Sequence, residues 1–131
     1  MHQTLLPEGW KRPKGYANGV SARGRQIHVA GMIGWDGDET FRSDDFAAQA
    51  RQTLRNTVDV LAAGGAGPEH IVRMTWYVTD KREYLAALPE VGRAFREIIG
   101  NYSIAMAAVQ VAALMEDRAK IEIETTAVIP D

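Results

Sequence analysis

The chain has 131 residues, 24% of them charged, with fifteen Lys and Arg against seventeen Asp and Glu and a net charge of −2 at pH 7. That length fits one domain able to bury about two thirds of the surface its unfolded chain exposes; we read 1–131 as that single domain, with a loosely ordered stretch over 1–14. The absence of cysteine excludes a disulfide framework, a thiol nucleophile and a cysteine-based metal site, and the balanced charge shows no basic stripe of the kind that nucleic-acid binding demands.

The opening "MHQTLLPEGWKRPKG" is polar and broken by proline, without the long apolar run of a secretion signal or membrane anchor. The expectation is a soluble, cytoplasmic protein with neither membrane nor nucleic acid as partner. "YANGVSARGRQIHVAGMIGW" follows and reads as two short strands joined around Ser21–Arg25, with Gly24 at the turn. Strict alternation in the second puts Ile27, Val29, Gly31 and Ile33 on one side and His28, Ala30 and Met32 on the other. "WDGDETFRSDD" is a turn-rich loop feeding a helix from about Asp45 to Ala63, whose Phe46, Ala50, Leu54, Val58 and Leu61 recur at helical spacing. Ser43 or Asp44 is the candidate cap, and "GGAGP" stops the helix. That glycine cluster ends a helix instead of opening one and lacks a following Lys-Ser/Thr, so it is a C-cap and not a phosphate loop.

"HIVRMTWYVT" is rich in β-branched and aromatic residues and forms the next strand, with Val72, Met74, Trp76 and Val78 on one face and Arg73, Thr75 and Tyr77 on the other. Asp80 and Glu83 have capping-box spacing. Pro89 is awkward inside a helix, so a short turn over 81–88 should precede a main helix that starts near Pro89 and runs to about Ile99. "AMAAVQVAAL" and "AKIEIETTAV" close the chain as strands. In the latter, Ile121 and Ile123 face one way while Lys120, Glu122 and Glu124 face the other. Two amphipathic helices cover one face of such a sheet and leave the other wet or joined to another subunit. The small residues of "AMAAVQVAA" suit close approach by a second backbone or a ligand, so an oligomer of closed symmetry is expected.

"SDDFAAQARQTLRNTVDVLAAGGAGPEHIVRMTWYVTD", together with "GYANGV", "IHVAGMIG", "VQVAAL" and "KIEIETTAV", resembles the RidA/YjgF family of small enamine/imine deaminases over about residues 15–129. The resemblance implies a chorismate-mutase-like α+β fold and a homotrimer with a central barrel, helices outside and small-molecule clefts between subunits. It implies hydrolysis of reactive imines or enamines to 2-keto acids and ammonia, with no metal or organic cofactor. Carried over by position, Tyr16 lines the cleft, Gly31 offers its backbone to the ligand, and Glu122 holds or activates the hydrolytic water.

The family's carboxylate clamp, an arginine in a "PARS" motif, falls here on Ile104, Ala105, Met106 and Ala107. Met106 stands where the arginine belongs, and a thioether cannot grip a carboxylate as a guanidinium does. Arg118, Lys120 and Arg73 are candidate replacement cations. A soft cleft around Met106, Trp35 and Ile104 would suit a larger or less charged molecule. The expected function is hydrolytic deamination of an imine or enamine other than 2-aminoacrylate, with water positioned by Glu122. The alternative is a non-catalytic trimer that binds a small metabolite in its clefts. A ribonuclease or translation-inhibitor activity, attached to some members of the family, draws no support from the charge balance.

From the residues alone, Glu122 is best read as a solvated charge on an open strand and Met106 and Trp76 as core filler, while Gly31 also fits a bulge or tight packing point and Tyr16 a strand-end residue. His2, His28 and His70 fall on different elements, with no pair at metal-ligand spacing.

Overall fold

A computed structural model describes residues 2–131. Chain order is β1 (Gln3–Leu5), β2 (Gly19–Ser21), β3 (Arg25–Ile33), α1 (Phe46–Ala63), a 3-10 turn (Pro68–His70), β4 (Ile71–Val78), α2 (Lys81–Ala86), α3 (Leu88–Ile98), β5 (Ala105–Gln110) and β6 (Ile121–Ile129). The main sheet is ordered β3-β6-β4-β5, parallel between β4 and β5 and antiparallel elsewhere. The fold is α+β with a mixed sheet. Part of the expected loose start is corrected: Gln3–Leu5 pairs antiparallel with Gly19–Ser21 as a separate two-stranded ribbon. All three β1 residues are exposed, so no buried alternation marked the strand in advance.

The apolar stripe of α1 lies over the sheet. Phe46, Ala50, Leu54 and Leu61 are buried, and they meet Ile121, Ile123 and Ala127 of β6, none of which is exposed at all. Asp45, not Ser43 or Asp44, caps the helix, its carboxylate accepting from Ala48 N at 3.0 Å. Ser43 Oγ accepts from Asp45 N, and Asp44 pairs with Arg118 instead. Asp80 caps α2 by accepting from Arg82 N and Glu83 N, while Glu83 reaches Lys120 Nζ at 2.9 Å. Pro89 falls in the first turn of α3, where its missing N–H leaves no hydrogen bond unmade. Val91, Ala94 and Ile99 carry the helix onto α1 and the sheet, and Leu88 stays exposed.

Two bulges correct the strict alternation. Between Val29 and Met32 the pairing of β3 with β6 slips, so that Val29 faces Thr125 and Met32 faces Ile123. Three residues of β3 span two of β6. Met32 therefore joins the core and Gly31 moves to the opposite face. A similar slip between Ile71 and Arg73 buries Ile71 in place of Val72.

One buried polar side chain fastens the helix layer to the sheet. Gln49, 1% exposed, donates from Nε2 to the carbonyls of Ser43 and Arg118 and accepts the Lys120 N–H on Oε1, all within 2.9–3.0 Å. These bonds fix where β6 begins. The close fit extends to Gly34, where an added Cβ would sit 2.6 Å from Gln49 Cβ. Gln49→Ala leaves three partly buried backbone groups without this partner, each costing about 1–3 kcal/mol if it finds no water. We expect a loss of roughly 3 kcal/mol in urea unfolding at fixed protomer concentration. A loss below about 0.5 kcal/mol, the range of an ordinary surface substitution, would show that this junction is not a tether.

Candidate functional site

The face of the sheet away from the helices is polar and small. Register places Glu122 and Glu124 of β6 beside Tyr77 and Thr75 of β4, with Arg73 further along, and Ala105, Ala107 and Val109 of β5 on the same side. Tyr77 donates its hydroxyl to Glu124 Oε1 at 2.5 Å. That bond, first among several causes, holds the phenol above its ordinary pKa, because ionisation would set a phenolate against a carboxylate. Glu124 thus belongs to the network of the sheet face. Glu122 is half-buried and rests against Gly31, where an added Cβ would lie 2.7 Å from its carboxyl carbon. Glycine at 31 leaves the space that the Glu122 carboxylate occupies.

A cleft of about 800 Å³ opens on the helix side of β5, its walls including Tyr16, Trp76, Tyr84, Phe95, Tyr102 and Met106. Backbone pairing builds it. Ala17 N donates to Ile104 O at 2.8 Å, and Ala17 bridges Ala105, which lays the Tyr16 segment along the edge of β5 beside Met106. At the end of α3, Gly100 takes φ +99° and turns the chain toward β5. Trp76 lies 6.3 Å from Tyr84 and 6.2 Å from Phe95, centroid to centroid. Burial raises the Tyr84 phenol above its usual pKa, so it remains a neutral hydroxyl at physiological pH. Lys14 and Arg96 bring positive charge to the same cleft.

The sequence-predicted residues thus fall into three places. Tyr16 and Met106 line the cleft, and Gly31 and Glu122 meet on the bare face, with the sheet between the two pairs. Trp35 does not line the cleft. It comes two residues after Ile33, the register partner of Glu122, meets Phe41 in a tilted pair with centroids 5.7 Å apart, and has its carbonyl held by Asn56 Nδ2 at 2.6 Å. Ile104, expected at the cleft, is core and 1% exposed. Of the candidate cations, Arg118 is committed to Asp44 and to the Phe41 ring, 5.4 Å from its centroid, and Lys120 to Glu83. Arg73 is exposed on the bare face. Phe95 carries the helical spacing of a buried stripe, and its side chain lines the cleft as well; Tyr84 and Arg96 also line it, and the sequence signal for Arg96 is Gly92, an interior glycine one helical turn earlier.

His2 Nε2 lies 3.2 Å from the carbonyl of His70, and His70 Nδ1 accepts from Gly67 N, so these two rings serve the backbone. Among the described residues no helix is long and apolar enough to cross a membrane.

The profile of the family described as "Endoribonuclease L-PSP" matches residues 10–129. The 2-iminobutanoate/2-iminopropanoate deaminase of Salmonella typhimurium is 33% identical over 129 residues, 98% of either chain. The human protein of the same name is 30% identical over 105 residues, 79% of this chain and 73% of its own. In solved structures, the Rid-family protein YyfB of Yersinia pestis superposes with a TM-score of 0.85 at 30% identity over 98% of both chains. With its mixed sheet, its helix layer and these relatives, the chain belongs to the RidA/YjgF family.

Proposed function

We propose that this protein is a hydrolytic imine deaminase acting at clefts between the subunits of a homotrimer. The observation that carries the proposal is the division of the site: the Glu122–Gly31 pair and the Tyr16–Met106 cleft lie on opposite faces of one sheet, so a site using all four needs two copies of the chain. The bare face suits such a contact. Its β5 side chains are Ala105, Ala107 and Val109, and Val109 is 45% exposed. Three such faces meeting around an axis would close the barrel expected for the family. Likeness to two imine deaminases supports the chemistry.

Glu122 accepts a proton from a water molecule as the water oxygen attacks the imine carbon, and the C=N π pair moves to nitrogen. The carboxylic acid so formed returns the proton to nitrogen. Glu122 then takes the hydroxyl proton of the carbinolamine and delivers it to the amino nitrogen, so that C=O forms as the C–N bond breaks and ammonia leaves. Water in, 2-oxo acid and ammonia out, with no electron exchanged. General acid–base help of this kind contributes about 10²–10⁴-fold. Gly31 leaves the room in which the Glu122 carboxylate lies.

Three outcomes are expected. Glu122→Ala, assayed by 2-oxo acid release from freshly generated imine, should lower kcat by about a hundredfold or more; an unchanged kcat would leave a binding trimer as the surviving alternative. Gly31→Ala, which pushes a methyl into the Glu122 carboxylate, should lower kcat while circular dichroism stays that of the parent, and unchanged turnover would remove Gly31 from the site. In sedimentation equilibrium the parent should behave as three chains, and Val109→Glu, which sets a carboxylate into the contact, as one. A monomeric parent would contradict the composite site.

A further inference from the structure

The cleft is far larger than a 2-iminopropanoate-sized molecule, and its walls are aromatic: Trp76, Tyr84 and Phe95 line it beside the Met106 thioether. Aromatic and thioether surfaces reward a large apolar ligand body, and a cavity of this size with a few polar groups is the usual form of a site for such ligands. The indole N–H of Trp76, itself 2% exposed, has no acceptor among the described residues. A buried donor in a cleft wall is a place for a ligand oxygen once the neighbouring rings yield.

The charge in the cleft points to an anion. Arg96 is exposed, and no carboxylate among the described residues lies within ion-pair distance of it, as is also true of Arg12, Arg55, Arg73, Arg82 and Arg93; Arg96 is the one of these that lines the cleft. Gly92 explains where the Arg96 guanidinium goes. A Cβ at 92 would approach Arg96 Nη1 to 3.3 Å, so the guanidinium folds back over the glycine one helical turn earlier. Glycine is disfavoured in a helix interior, and Gly92 is not among the residues with positive φ. The missing side chain leaves room for Arg96 to lie along the cleft.

We infer that the cleft takes 2-imino acids whose side chain is aromatic or large and apolar, with Arg96 seating the carboxylate that Met106 cannot hold. The inference rests on the cleft being the substrate side of the composite site, so binding is measured apart from turnover. Phenylpyruvate, an aryl 2-oxo acid shaped like the product, is titrated calorimetrically against the whole protein and compared with pyruvate. Phenylpyruvate should bind about tenfold tighter or better, and Arg96→Gln should weaken it by about tenfold to a hundredfold, the worth of a hydrogen bond to a charged group. Arg96→Lys should recover part of the loss. Gly92→Leu, which helix propensity favours and which therefore should fold, should weaken phenylpyruvate by displacing Arg96 and filling the cleft.

Equal affinity for the two acids, or phenylpyruvate affinity indifferent to Arg96→Gln, overturns the inference. Turnover of imines generated from alanine and from phenylalanine separates it from the deaminase assignment. Arg96-dependent phenylpyruvate binding with no turnover of either imine upholds the cleft and sinks the deaminase. Turnover of the small imine without phenylpyruvate binding does the reverse.

Discussion

Ile121 and Ile123 lie fully buried under α1, and that burial turns Glu122 to the other side of the sheet. Each isoleucine gains about 1.5–3 kcal/mol from burial, and a one-residue slip would exchange both for carboxylates. The register of β6 is therefore fixed strongly, and with it the position of Glu122. β3, β4 and α1 conform to it: the bulges after Val29 and Ile71 let those strands meet β6 with apolar residues inward, and Gln49 pins the helix to the point where β6 begins.

The same two-sidedness divides the site. Helices on one face and a bare polar face on the other put Glu122 and the aromatic cleft on opposite sides of the sheet, which in the proposed function makes each a half-site, a carboxylate with no pocket and a pocket with no carboxylate. β5 lies at the edge between them. Its odd-numbered residues, Ala105 to Val109, look to the bare face, while Met106 takes the register of Met74 on the helix side. Under the proposed function, assembly of copies would complete the chemistry in addition to burying surface. If the cleft is the substrate side, methionine at 106 goes with a change in which molecule is held, since Arg96 brings its own cation to the same cleft.

Periodicity shows α1, α3, the two faces of β6, the inward Met74, Trp76 and Val78 of β4 and the break at Pro89, because burial on one side writes itself as spacing. The bulges did not show. An extra residue in a strand leaves composition unchanged, and only pairing with β6 reveals that Gly31 leaves the Val29 face for that of Glu122. The true cap, Asp45, was hidden among three adjacent cap-forming residues, and β1 was hidden because it buries nothing. Glu122, Tyr16, Gly31 and Met106 came from family resemblance alone, since alternation separates two faces without saying which carries chemistry. Arg96 could not be placed without knowing that α3 sets it over the cleft, and Trp35 was drawn to Met106 by shared softness when the fold puts it beyond Ile33.

Subunit mixing tests the composite site most directly. Glu122→Ala and Met106→Glu, the second repelling an anionic substrate from the cleft, are each inactive parents. Unfolded together and refolded in equal amounts, they form trimers in which about a quarter of the clefts join an intact Glu122 from one chain to an intact Met106 cleft from the next. Imine hydrolysis near a quarter of the rate of the unsubstituted protein is the predicted result. If both halves of a site came from one chain, no mixture would contain an intact one, and activity no higher than that of either variant alone would contradict the account.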